Sequence, residues 1–280
     1  MATEIPYASP GALTRIGPNF EALCIDLPDD ALGLCRVAQS LVISPDGAAA
    51  LHLGDERQAE TSIRRVDAIL ETLLELDPAP LSATRRLEDR VVGTCRHFTV
   101  VSVALLRARG HAARARCGFA AYFDHGKHVD HWVVEWWHTA QHRWVRIDPE
   151  MLGLSELLGL PEGRTADLAP ADFLTGGEAW TACRTGGLDP SSFGVHGVPD
   201  AWGIAEVRGN AIRDLAALNR IEMLPWDEWG RMAASYAGAT GPEYDALIDT
   251  VATACASDDA AALRVAYGTE DLEVPPAMVS

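Results

Sequence analysis

Residues 93–149 read GTCRHFTVVSVALLRARGHAARARCGFAAYFDHGKHVDHWVVEWWHTAQHRWVRIDP, and this stretch decides the fold. After Cys95, residues 98–106 (FTVVSVALL) carry no charge; Arg107, Arg109 and Gly110 follow. An apolar run closed by cations and a glycine predicts a buried helix with a dipole-compatible last turn and a stop. Thr94 is a suitable N-cap, which places Cys95 in the first turn. A helix N-terminus favours thiolate, so a lowered Cys95 pKa is expected.

Strand-like segments follow at Ala113–Tyr122, His131–Trp137 and His142–Ile147. The last two are rich in Trp and Val, and the loop HTAQ joins them as an antiparallel hairpin. Pairing Trp137 with His142 sets His131 opposite Asp148, close enough for a hydrogen bond. A slip of one residue would separate them. A cysteine at a helix start, a histidine opening one strand and an aspartate closing the next are the groups that thiol-based acyl transfer needs. The expected roles are nucleophile for Cys95, base for His131 and orienter for Asp148.

This stretch resembles the transglutaminase-like superfamily of papain-like thiol enzymes. The resemblance lies in G-T-C-R at 93–96, L-L-R-A-R-G at 105–110, A-R-x-R-C-G-F at 113–119, H-W-V-V-E at 131–135 and W-V-R-I-D-P at 144–149. It covers about one fifth of the chain and implies the same triad. It further implies an α+β fold: a transglutaminase-like core, its central helix packed on an antiparallel sheet, with a helical C-terminal region. The Cys95 backbone N–H is the expected oxyanion donor. The implied chemistry is acyl transfer through a Cys95 thioester on an amide, ester or thioester. The alternatives are a cysteine peptidase or amidase and, from another class, a non-catalytic binding module. The expected partners are a peptide, protein or small-molecule acyl substrate and, for transfer, an amine acceptor. No cofactor is required.

Other residues extend this reading. His125, His128, Asp130 and His131 spell H-x-x-H-x-D-H, ligand types that zinc accepts. The run lies in a glycine-containing loop with no second cluster of metal-site spacing. No metal is therefore expected, and His125 and His128 are read as a solvated loop beside the site. Trp132, Glu135, Arg96, His196 and Trp202 are candidate substrate contacts. Against that, core packing is the favoured use of the hairpin tryptophans, a surface cation partner is the alternative for Glu135, and a solvated helix face is the favoured reading of Arg96 and His97. Cys24, Cys35, Cys117, Cys183 and Cys255 lack comparable partners and are read as structural thiols.

The chain has 280 residues, 40 acidic and 23 basic, for a net charge of −17. That balance argues against a nucleic-acid or anionic-membrane surface. The first ten residues, MATEIPYASP, lack a basic-then-apolar leader pattern, and no run reaches the roughly 18 apolar residues of a membrane span. With six scattered cysteines, a reducing cytoplasm is expected.

Three regions are expected: an N-terminal helical part (1–79), the catalytic core (80–165) and a glycine-rich loop followed by helices (166–280). In the first, Ala59–Leu76 shows helical spacing at Ile63, Val66, Ile69, Leu70 and Leu73. In the last, residues 176–209 hold eight glycines and read as a long connection, lid-like or inert. Helices are expected over NAIRDLAALNRIEML, from Pro225 over PWDEWGRMAASYAG, and beyond.

Overall fold

The computed structural model describes residues 5–269 and 271–279. Met1–Glu4, the start of the segment read as leaderless, lie outside the described residues. The chain runs α1 (Ala31–Leu41), β1 (Val42–Ile43), α2 (Pro45–Ala50), α3 (Asp55–Gln58), α4 (Val66–Leu76), β2 (Val91–Val92), α5 (Cys95–Ala108), β3 (Ala113–Ala120), β4 (His128–His138) and β5 (Arg143–Ile147). Then come β6 (Phe173–Thr175), α6 (Gly176–Arg184), β7 (Phe193–Gly194), α7 (Ile204–Leu218), α8 (Gly230–Tyr236), α9 (Pro242–Ala256) and α10 (Ala260–Tyr267). No described helix is long and apolar enough to cross a membrane.

The main sheet has the order β5-β4-β3-β6, antiparallel throughout, with β7 joining β4 in parallel. The α+β reading thus fits the arrangement. Helix α5 is the apolar run of the sequence. It packs on β3 and β4 within a cluster containing Val100, Val103, Leu106, Cys117, Trp132, Val134 and Ile147. Helix α7 packs on β3 from a second cluster with Ile212, Leu215, Trp180 and Ile248. Strands β6 and β7 come from residues beyond 165 yet belong to the sheet that carries His131.

Three local expectations are corrected. The helix of Ala59–Leu76 starts only at Val66; residues 59–62 form a 3₁₀ turn and Ile63 is extended. The reason is tertiary: the carbonyls of Ile63 and Arg64 accept hydrogen bonds from the buried Arg96 and His97. Residues 176–209 are not one long connection, because α6 occupies their first nine positions, started by a Thr175–Glu178 capping box. Gly176 serves packing: a Cβ there would sit 2.2 Å from the Asn210 carbonyl oxygen. The helix expected from Pro225 begins at Gly230, since Asp227 caps the intervening turn at the Leu224 N–H, 2.9 Å away.

The hairpin also differs in detail. Trp137 pairs with Trp144 and His138 with Arg143, so the loop is Thr139–His142, with His142 left-handed at φ 51°. Each pair is displaced by two residues from the expected register. Because side chains alternate with period two, a two-residue offset keeps every residue on its face. His131 and Asp148 become diagonal neighbours instead of directly opposed ones.

Candidate active site

Cys95 is the first residue of α5, immediately after the short strand β2. The turn between them is tied down from several sides. Gly93 donates to the Ile43 carbonyl at 2.9 Å, and Thr94 N–H donates to His97 Nδ1 at 3.1 Å. A Cβ on Gly93 would meet His97 Cβ at 2.6 Å, so the cap fits only over glycine. His97 Nε2–H then donates to the Ile63 carbonyl at 3.0 Å. Burial, with Arg96 adjacent, pushes His97 down to about 3, so it remains a neutral brace.

His131 and Asp148 meet at 3.0 Å, Nε2 to Oδ2, and both are essentially buried. Nε2 is thereby engaged, which leaves Nδ1 for Cys95. Asp148 is held from four directions. Its Oδ2 also accepts from the Tyr122 hydroxyl at 2.5 Å, and its Oδ1 accepts from the Glu150 and Met151 N–H groups, each at 3.0 Å. A carboxylate so fixed orients the imidazole through one bond and leaves it no other tautomer partner. Burial alone would push His131 down; the Asp148 charge and hydrogen bond, with the Cys95 sulfur, raise it well above its ordinary value. Burial would likewise raise Asp148, but His131 and Tyr122 hold it below the usual range.

Cys95 departs from the expected lowering. Burial pushes its thiol up, and the hydrogen bond and charge of His131 only partly offset this. The helix start supplies position and a free backbone N–H, because the first residues of a helix have no intrahelical acceptor. Desolvation of the sulfur is the largest cause.

The structure brings in one group that the sequence reading missed. Donor atoms of Cys95, His131 and Glu150 all lie within 4.8 Å of one another. Among the described residues no hydrogen bond to the Glu150 carboxyl is found; only its backbone is engaged, N–H to Asp148 and carbonyl to Gln39 Nε2 at 2.8 Å. Burial, with Asp148 and Asp46 nearby, pushes its pKa up to about 7 despite the lowering effect of His131.

The other candidates sit elsewhere. Arg96 is fully buried: Nε donates to the Glu222 carbonyl at 2.9 Å and Nη2 to that of Arg64 at 2.6 Å. The solvated-face alternative for Arg96 and His97 is therefore corrected; α5 is buried around its first turn. Trp132 is fully buried in the α5 cluster. Glu135 lies four residues along β4 from His131, about 13 Å at strand rise. It accepts from Arg114 Nε at 2.7 Å, Arg116 Nη1 at 2.9 Å and Arg146 Nε at 2.8 Å. His196 is exposed, and Trp202 lies under Lys127 Nζ at 4.9 Å. His125 is exposed, while His128 stacks on Phe193 and meets Ser192 Oγ at 3.2 Å. The H-x-x-H-x-D-H run does not converge, and Asp130 turns to Asn210 Nδ2 at 2.5 Å.

A cleft of about 670 Å³ lies between the sheet and α6 and α9, lined by Arg114, Arg116, Arg146, Trp144 and Glu178 among others. None of Cys95, His131 and Asp148 lines it.

Residues 53–149 match the model of the Transglutaminase-like superfamily. The matched span contains Cys95, His131 and Asp148 and is about a third of the chain. Members of this superfamily are generally cysteine enzymes. No curated protein and no solved structure matches the chain.

Proposed function

We propose that this chain performs thiol-dependent acyl transfer through a thioester on Cys95, with an amide, ester or thioester as acyl donor. The observation that carries the reading is the 3.0 Å His131–Asp148 hydrogen bond beside a cysteine at a helix start. His131 Nδ1 takes the thiol proton as sulfur attacks the carbonyl carbon. The Cys95 N–H stabilises the developing oxyanion. The tetrahedral intermediate expels its leaving group, which receives the proton from His131, and a Cys95 thioester remains. His131 then deprotonates an amine, giving a new amide, or water, giving hydrolysis. The raised thiol pKa means that proton removal accompanies attack instead of preceding it. Asp148 matters more in that regime, because it makes His131 the stronger base.

The test is intact-mass analysis after incubation with pooled amide, ester and thioester donors, followed by a chase with a primary amine. An acyl mass on Cys95, discharged by the amine, is the expected result. Wild-type turnover of any identified donor by purified Cys95→Ala would refute the covalent route. A binding module would give no adduct with any donor and no selective alkylation of Cys95.

A further inference from the structure

We infer that Cys95, His131 and Glu150 form a zinc-class metal site that masks the nucleophile, separate from any metal requirement for the reaction. The donors are Cys95 Sγ, His131 Nδ1 and a Glu150 carboxylate oxygen, all within 4.8 Å of one another. In a tetrahedral zinc site with bonds of about 2.0–2.3 Å, donors stand roughly 3.3–3.7 Å apart. Metal binding therefore has to draw Cys95 Sγ and the Glu150 carboxylate inward toward the fixed imidazole.

Three features beyond proximity point to a cation. First, His131 Nε2 is already bonded to Asp148, which is itself fixed by Tyr122 and two backbone N–H groups. A metal-binding imidazole characteristically has its second nitrogen held by a carboxylate, and that carboxylate held in turn. Second, the Glu150 carboxyl faces the site with no hydrogen-bond donor found among the described residues. Third, the donor set selects the ion. Thiolate and imidazole favour Zn²⁺ and disfavour Mg²⁺ and Ca²⁺, which take oxygen donors. Three protein ligands leave one tetrahedral position for water.

The charges balance: one dication meets one thiolate and one carboxylate. Binding releases the Cys95 thiol proton to solvent. The sulfur electron pair then bonds to the metal and is withheld from a carbonyl carbon, so metal binding and acylation exclude each other. Chelation therefore activates the protein, the reverse of what a catalytic metal requires.

The experiment uses the full chain, metal-stripped, reduced with a phosphine and titrated with cobalt(II) and then zinc. One ion per chain is expected by native mass spectrometry, with a sulfur-to-cobalt charge-transfer band that zinc abolishes. Stoichiometric zinc should protect Cys95 from iodoacetamide, EDTA should restore labelling, and Mg²⁺ or Ca²⁺ should do neither. Cys95→Ser should lose the band. Glu150→Gln should weaken zinc affinity by about tenfold or more. The double change His125→Ala with His128→Ala should leave band and protection intact. The inference is overturned if bound cobalt shows no thiolate band, if Cys95 is labelled as fast at saturating zinc, if Glu150→Gln binds as tightly as wild type, or if loss of His125 and His128 abolishes binding. The wild-type measurements stand without any variant and need no acyl substrate, so they are independent of the acyl-transfer reading.

Discussion

Strand β4 carries two buried charge centres four residues apart, His131 and Glu135, and the environments built around them are opposite. Around Glu135 everything is permanently charged: Arg114, Arg116 and Arg146 share its carboxylate, Arg116 also makes a two-pronged contact with Asp214 at 2.9 and 2.8 Å, and Arg146 reaches Glu178 at 2.8 Å. Those guanidiniums hold the Glu135 carboxyl far below its ordinary range in spite of burial. Around the His131 imidazole stand a thiol, two carboxyls, a phenol and two backbone N–H groups, and most can gain or lose a proton. The first centre ties β3, β4 and β5 to α6 and α7 and cannot change its charge at any ordinary pH. The second holds its groups in place yet lets protons move. The contrast teaches that burial alone does not mark a reactive site; a buried group is useful when its partners titrate.

The largest effect is expected at Cys95. Cys95→Ala should abolish acyl-enzyme formation while the thermal midpoint stays near wild type, as seen by mass spectrometry and calorimetry together. Next, Asp148→Asn should slow Cys95 acylation by about 10³-fold, less than the roughly 10⁴ of a serine triad, because a thiol ionises more readily. Wild-type pH–rate behaviour in that variant would remove Asp148 from the role of orienter. Glu135→Ala should act the other way. Three buried guanidiniums would lose their shared anion, costing about 3–5 kcal/mol in urea unfolding, with the acylation rate per folded molecule preserved. Loss of rate without loss of stability there would erase the distinction between the two centres.

The smallest effect should come from Glu150. Its folded-state pKa of about 7 lies above its ordinary 4.5, so between those values the folded chain binds the extra proton. Stability therefore falls as pH rises through that window, and the penalty is complete above pH 7. Glu150→Gln should remove it, gaining roughly 2–3 kcal/mol relative to wild type at pH 7.5 and little at pH 4.5. Parallel unfolding curves for the two proteins across pH would show that Glu150 ionises freely.

Much of this site was legible in residue order. The uncharged run after Cys95 and the Trp- and Val-rich hairpin identified α5, β4 and β5, because each buries a full face and its composition shows it. The hairpin register was misjudged by two residues since a left-handed His142 is not coded by residue type. The error did no harm to the His131–Asp148 pairing, because it preserved the face. What escaped notice depends on distant partners. The extended Ile63 is set by Arg96 and His97, more than thirty residues ahead. Gly176 and Gly177 look like loop residues until α7 is seen against the first and α9 against the second. Glu150 looks like an ordinary acidic residue, and only the fold brings it to the sulfur. The Cys95 pKa was misjudged for the same reason: a helix start can be read locally, but the depth of the thiol cannot.

Arg96, the neighbour of Cys95, has its guanidinium between the carbonyls of Glu222, Ile63 and Arg64. It thereby fastens the α5 start at once to the turn before α4, inside the matched span, and to a residue 126 positions later, outside it. The consequence concerns portability. A transplantable module keeps every support of its site within its own borders, whereas here the seat of Cys95 is completed by a residue outside residues 53–149. Residues 53–149 grafted into another protein would bring Cys95, His131 and Asp148 but not the Glu222 carbonyl that holds the first turn of α5, so a host would have to provide that anchor itself.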